Sequence, residues 1–291
     1  MKSISRLLLG CLLISLFTIV SCQLFSPSAA DKVLRYKYET GKPYSYNVIV
    51  ETKTSGQAMG QEFTATVVND FQFTLQVTEK SADQLTFKAT IDKFLTRIDV
   101  PLMGMNDSTI EMKNFIGKRF EVVMTTRGKT LSVTPLDSIP PTRGMQMMQS
   151  NPADLFQRIF VELPEQEAPL QSTWKTTKSD TIMRSGIRII TKPEINFIIT
   201  AEEQHAGYKC RKIEFNGKST MEGTGTVQGL EVTVDGTMML KGTMFVATKE
   251  GILTGGEQST DMDMTQTFSG QQTGAQSMTT VMTSKINLLT K

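Results

Sequence analysis

Residues 71–77 read FQFTLQV: Phe71, Phe73, Leu75 and Val77 alternate with Gln72, Thr74 and Gln76. A period of two is the spacing of a strand with one buried and one wet face. The same pattern spreads outward from it. Phe63, Ala65 and Val67 precede it. Before them, Tyr44, Tyr46, Val48 and Val50 share a face opposite Ser45, Asn47 and Glu51. Leu85, Phe87, Ala89 and Ile91 follow. The breaks at 54–61 and 79–84 are hairpin-sized. Thr- and Gln-rich outer faces over aromatic inner faces suit an antiparallel sheet with one side on a core.

The pattern continues. Phe120, Val122 and Met124 make a strand that Arg127-Gly128-Lys129 turns back into Leu131 and Val133, and Pro140-Pro141 ends the sheet locally. In the second half Trp174 opens a run through Ile182. Ile187 and Ile189 share a face, as do Ile195, Phe197 and Ile199. Tyr208 and Cys210 change phase before Ile213 and Phe215, which predicts a β-bulge near Arg211. Leu230, Val232 and Val234 run into Asp235-Gly236, a two-residue hairpin signal, and Met238, Leu240, Met244 and Val246 return from it. Glu250-Gly251 marks a further turn, Met262 and Met264 a strand, 270–274 a loop, and Met278 to Leu288 the last strand. The fold class predicted is mainly β: eleven to thirteen strands in a large curved antiparallel sheet, a half-barrel or two sheet halves, with one or two short helices. The helix signal is Asn151 as N-cap, Pro152 at the first position and Asp154 in the first turn. Leu155, Phe156, Ile159 and Phe160 form its apolar face and Pro164 closes it, while 144–149 reads as a helical approach.

The chain has 291 residues, enough for one large β domain or two modest ones. Its first six residues carry Lys2 and Arg6, and 7–20 is almost unbroken apolar sequence. Fourteen residues fall short of the roughly 20 a helix needs to span a bilayer, and match the apolar core of a secretory signal. The run ends at Ile19-Val20-Ser21-Cys22, which resembles the lipobox of bacterial lipoproteins. That resemblance implies cleavage before Cys22, a diacylglycerol on its thiol and a membrane held through lipid, not through a span. Gln23 after the Cys implies the outer membrane by the enterobacterial sorting pattern. The layout predicted is a signal peptide over 1–21, a tether over 22–32 and a β-rich domain over 33–291, with possible halves at 33–163 and 171–291.

Loss of Lys2 and Arg6 leaves 29 basic against 29 acidic residues. No cationic excess remains to hold phosphates, which argues against nucleic acid as a partner. Cys11 leaves with the signal and Cys22 is capped, so Cys210 has no disulfide partner. It reads as a buried small hydrophobe. The one His, His205, sits in a polar stretch, EEQHAG, that reads as an exposed turn, five residues from Cys210. Asp261-Met262-Asp263 resembles the start of a calcium loop but lacks the downstream Gly and Glu, and alternation puts both carboxylates outward. There is no P-loop, GxGxxG, CxxC pair or HExxH. No catalytic residue, metal ligand or cofactor is predicted.

Methionine is the compositional oddity: 18 of them, with Met124, Met238, Met244, Met262, Met264, Met278 and Met282 on inward strand positions. Thioether side chains either fill an irregular core or line a surface adaptable to apolar partners such as an acyl chain. Tyr44-Ser45-Tyr46, Leu163-Pro164 ahead of Trp174, Tyr208-x-Cys210-x-x-Ile213 and a Gly-rich alternating C-terminal third together resemble bacterial lipoproteins of the DUF6263 type. Ser172-Thr173 stands where that pattern places Gly before the Trp. The outline is also similar in architecture to the half-barrel lipoprotein carriers of the LolA and LprG kind, which implies a curved sheet around an apolar cavity. Two functions follow as expectations: a lipid-anchored binder of an apolar ligand, or an envelope protein with a solid core that meets a protein partner through its Thr/Gln/Ser-rich outer strands.

Overall fold

The chain forms thirteen strands of a single sheet in the computed structural model, which describes residues 33–58, 61–139, 152–177, 179–184, 186–227, 229–269 and 274–289. The leader, Cys22, the tether, Asn151, 144–149, Pro140-Pro141 and most of the 270–274 loop lie outside them. The strands are β1 (Pro43–Ala58), β2 (Gln61–Lys80), β3 (Gln84–Val100), β4 (Met105–Glu111), β5 (Arg119–Thr125), β6 (Thr130–Pro135), β7 (Thr173–Thr176), β8 (Asp180–Arg184), β9 (Ile187–His205), β10 (Tyr208–Val227), β11 (Leu230–Ala247), β12 (Leu253–Ser269) and β13 (Gly274–Leu288). All pairings between them are antiparallel, and the sheet is curved and open. β2 and β10 have 20 residues each, about 65 Å at the usual strand rise.

The order across the sheet is β6-β5-β3-β2-β1-β13-β12-β11-β10-β9-β7, with β4 beside β3 and β8 beside β9. The first and last strands thus meet in the middle. Eleven residue pairs, from Tyr46↔Leu288 to Gly56↔Met278, join the two halves. The outer strands are short, which limits the unpaired edge. Pro193 fits this plan. On one side it pairs with Ser219. On the other, β7 takes residues 195–198 of β9 and β8 takes 187–191, so Pro193 falls between them and its missing N–H breaks no ladder.

One face carries the main core. Phe71, Phe73, Leu75, Phe87, Phe120 and Met124 are buried under two covering segments. The first, residues 34–40, crosses the sheet end: the Tyr36 N–H donates to the Thr126 carbonyl and Lys37 N–H to Gly251 carbonyl, both at 2.8 Å. Gly128 must be glycine here, because its φ is +95° and a Cβ would strike the Val161 carbonyl and the Tyr36 ring. The second cover is α1 (Pro152–Phe156) and the segment after it. Phe156 packs edge-on to Phe73 at 5.1 Å, and Phe160 packs against Tyr36 and Phe87. The Arg127 guanidinium donates to the Leu163 carbonyl, and Arg35 donates to Pro164 and Glu165 carbonyls. The Trp174 indole donates to the Glu162 carbonyl and its ring stacks on Phe197.

Three expectations are corrected. Asp235-Gly236 is not a turn: β11 runs straight through it, with Asp235 opposite Glu222 and Gly236 opposite Met221. A two-residue hairpin needs left-handed backbone, and that occurs at Gly229 (φ +83°), not at Gly236. The helix is five residues, not two or three turns. After Arg158 the chain turns so that Leu163 N–H reaches the Arg127 carbonyl at 2.7 Å, while Ile159 and Phe160 stay in the core without helical backbone. The run from Trp174 is two strands, β7 and β8. In addition β4, on a stretch where no alternation was read, pairs with the end of β3. The bulge expected near Arg211 lies at Lys212/Ile213, with Thr200 of β9 as the extra residue.

The seam carries a buried polar lock. Tyr38 and Tyr46 hydroxyls lie 2.7 Å apart, Tyr46 donates to the Leu253 carbonyl at 2.8 Å, and Leu253 N–H donates to Tyr38. Burial raises the pKa of both phenols, so neither ionises at neutral pH. Tyr46→Phe leaves a buried carbonyl and a buried hydroxyl each short of a partner. We expect a loss of about 1–3 kcal/mol, read as a lower urea midpoint at unchanged slope. An unchanged midpoint contradicts the lock.

Candidate functional site

The inner face divides along its length. Across β11, β12, β13, β1, β2 and β3 one row reads Gly242, Gln258, Ser284, Val50, Asn69 and Thr96. Four of these six are polar. Thr96 donates to Asn69 at 2.9 Å. On one side of this belt lies the aromatic core under its covers. On the other side the next rows read Leu240, Thr260, Met282, Thr52, Val67 and then Met238, Met262, Thr280, Thr54, Ala65. The next reads Met221, Gly236, Met264, Met278, Gly56, Phe63. Most of these are half-buried and none is charged. A satellite cluster of Ile187, Ile189, Met221, Val232 and Val234 closes the far tip. The inward methionines stand where the alternation placed them: Met124 and Met244 in the sealed part, Met238, Met262, Met264, Met278 and Met282 in the open part.

The opposite face is polar and carries two shallow hollows. One, of about 670 Å³, is walled by Ile49, Glu214, Lys241, Glu257, Thr283 and Lys285. The other, of about 430 Å³, is walled by Glu222, Asp235, Thr237, Asp263, Thr265 and Thr279. Asp261 and Asp263 point outward as the alternation requires, and Asp263 accepts a hydrogen bond from Thr279 at 2.9 Å.

Cys210 and His205, which the sequence left apart, meet through Thr254. The Thr254 hydroxyl donates to the Phe245 carbonyl at 3.1 Å, so it accepts from His205 Nδ1 at 3.0 Å. The Cys210 sulfur lies 3.3 Å from the same oxygen. The turn is tight: Ala206 and Gly207 both have positive φ, as a two-residue hairpin needs. The expectation of an exposed His is corrected. Its ring is half-buried and lies flat on Phe245 at 4.2 Å, because the curl of β11 and β12 brings Phe245 and Thr254 under the hairpin. Cys210 is buried as expected. Burial raises its thiol pKa, with hydrogen bonds to Thr254 and the His205 carbonyl opposing, so the sulfur stays protonated at neutral pH. Burial also lowers the His205 pKa. Among the described residues no group of three or more His, Cys, Asp or Glu is placed to hold a metal ion.

No family model matches the chain, and no curated protein matches it in sequence. Among solved structures, the chain is similar to part of a lipovitellin from a study of its lipid–protein interactions, with TM-score 0.42 and 11% identity over 87% of this chain. This chain spans 26% of that lipovitellin chain. It is also similar to an outer membrane channel from Pseudomonas putida F1, with TM-score 0.19 and 6% identity, covering 87% of this chain and 98% of the channel. Neither score reaches the level of a shared fold. No helix among the described residues is long and apolar enough to cross a membrane.

Two outcomes follow from the Cys210 cluster. In a Cys22→Ser protein, iodoacetamide should leave Cys210 unmodified in the folded state and modify it after denaturation; fast labelling of the native protein contradicts the burial. The lowered His205 pKa means the unfolded chain takes up a proton first as pH falls. Stability from this group is therefore complete above the ordinary histidine value of about 6.5 and lost as pH drops below it toward the folded value. His205→Gln should flatten the fall of the denaturation midpoint as pH drops below about 6.5.

Proposed function

We propose that the chain is a lipid-anchored protein of a bacterial envelope, non-catalytic, that holds an apolar ligand, an acyl chain or a lipid, along the open part of its inner face. The anchor is Cys22, the membrane is the outer one, and the family is the lipoprotein class of the DUF6263 type. The observation that carries the ligand reading is the uncharged, half-buried stretch of Met, Thr, Val and Phe beyond the polar belt, which no described segment covers. Such a surface gains by transferring apolar area out of water, at about 25 cal/mol per Å², and methionine adapts to the shape of what it meets. The belt keeps this stretch apart from the packed core, so a ligand there need not disturb the fold.

The two hollows on the polar face favour a second reading, an envelope protein that meets a protein partner through its outer side. One experiment separates the two. The Cys22→Ser protein is purified from its own host and measured by native mass spectrometry, then titrated with a fluorescent fatty acid. The ligand reading predicts a co-purifying lipid mass lost on mild denaturation, and saturable uptake of the probe. A bare mass with no saturable uptake overturns it and leaves the protein-partner reading. The anchor has its own test. The full chain should partition with membranes and gain a diacylglyceryl mass, and Cys22→Ser should release it. A soluble, unmodified full chain overturns the anchor.

A further inference from the structure

Gly236 occupies the middle of β11 with an ordinary strand backbone, so its role is not conformational. The register shows what surrounds it. Met221 is opposite it on β10 and Met264 is opposite it on β12. Met238 stands two residues along on the same face, and Met262 is opposite Met238. Four methionines therefore occupy neighbouring positions around Gly236 on this face. The methyl of Met221 leans over it: a Cβ at 236 would lie 3.2 Å from Met221 Cε. Met221 is only 8% exposed, and Met262 and Met264 pack against the same small cluster.

A second feature lies on the reverse of the same four residues. Glu222 adjoins Met221 in sequence, Asp261 and Asp263 flank Met262, and Asp235 adjoins Gly236; all four carboxylates face outward. Glu222 and Asp235 are directly opposite each other, an arrangement that destabilises a sheet by itself. Lys192 reaches Glu222 at 3.4 Å and is the cation nearest this group among the ion pairs of the described residues. The sheet thus sets four neutral sulfur donors on one side and four carboxylates behind them. The hydroxyls on the sulfur side, Thr280 opposite Met262 and Thr54 beside it, are hydrogen-bonded to each other at 3.1 Å, and no carboxylate shares that face with them to attract a hard cation, whereas thioethers select soft ions. The carboxylates supply the negative field that a monovalent cation among neutral donors lacks.

We propose that Met221, Met238, Met262 and Met264 form a binding site for a soft monovalent cation, cuprous copper or silver, over Gly236. The proposal goes beyond the acyl-chain reading and does not rest on it. It is tested with silver ion on the Cys11→Ser, Cys22→Ser, Cys210→Ser protein, so that no thiol competes. Titration is followed by calorimetry and by the methyl resonances of ¹³C-labelled methionine. The expected result is one ion per chain, with shifts concentrated in Met221, Met238, Met262 and Met264. Met221→Leu with Met264→Leu, which preserves volume, should weaken binding by about tenfold or more. Met239→Leu, on the exposed outer face, should leave it unchanged. Absence of stoichiometric binding, shifts spread over all methionines, or equal affinity in the double variant overturns the site. The methyl spectrum of the parent protein decides the matter if the double variant fails to fold.

Discussion

The β1–β13 ladder is the pairing on which the architecture depends. Without it the chain makes two half-sheets, each with a long new edge of unpaired backbone groups. With it, strands more than 200 residues apart in sequence stand side by side and the inner face becomes continuous from β6 to β7. Such a contact is among the most costly in loop-closure entropy, which is why the buried Tyr38–Tyr46–Leu253 triangle matters. It ties the covering strap, the first strand and the twelfth at one point, in a dry environment where an unmade hydrogen bond is expensive.

Alternation made the strands legible because the sheet is half-buried almost throughout. FQFTLQV in β2 is a direct image of its burial, Phe71 and Phe73 inside and Gln72 and Thr74 partly exposed. Register, not periodicity, decided what the sequence left hidden. Asp235-Gly236 has the chemistry of a tight turn, yet β10 and β12 pair on both sides of it and override the local preference. The helix pattern from Pro152 to Phe160 reported burial correctly and backbone wrongly, since two arginines capture the carbonyls that follow. The meeting of His205 with Cys210 was not readable. It depends on Thr254, 44 residues beyond Cys210 and brought in by the curl of β12. Of the candidate site, the inward methionines were legible one by one. Their gathering around Gly236 needed the register, because three strands contribute, Met221 was not among those read as inward, and Gly236 itself read as a turn.

The division of the inner face connects fold to function. Aromatic residues and the two covering segments seal one part, where rings pack at centroid distances of 4.8 to 5.2 Å. The row of Gln258, Ser284, Asn69 and Thr96 ends that part. Beyond it the same face continues with thioethers, threonines and valines and no charge. A sheet this long does not need its far part to fold, since the core on the near side already buries nine or more aromatic rings. The far part is then free to serve a ligand, while the polar reverse side meets solvent or a partner.

The most direct measurement of that division is photo-crosslinking with a fatty acid that carries a diazirine along its chain, followed by peptide mapping on the Cys22→Ser protein. Labels on inward residues of β10 to β13 beyond the polar belt, competed by unlabelled fatty acid, are the predicted result. Saturable labelling confined to the polar face around Ile49, Ile198 and Lys241, or none at any residue, would contradict it.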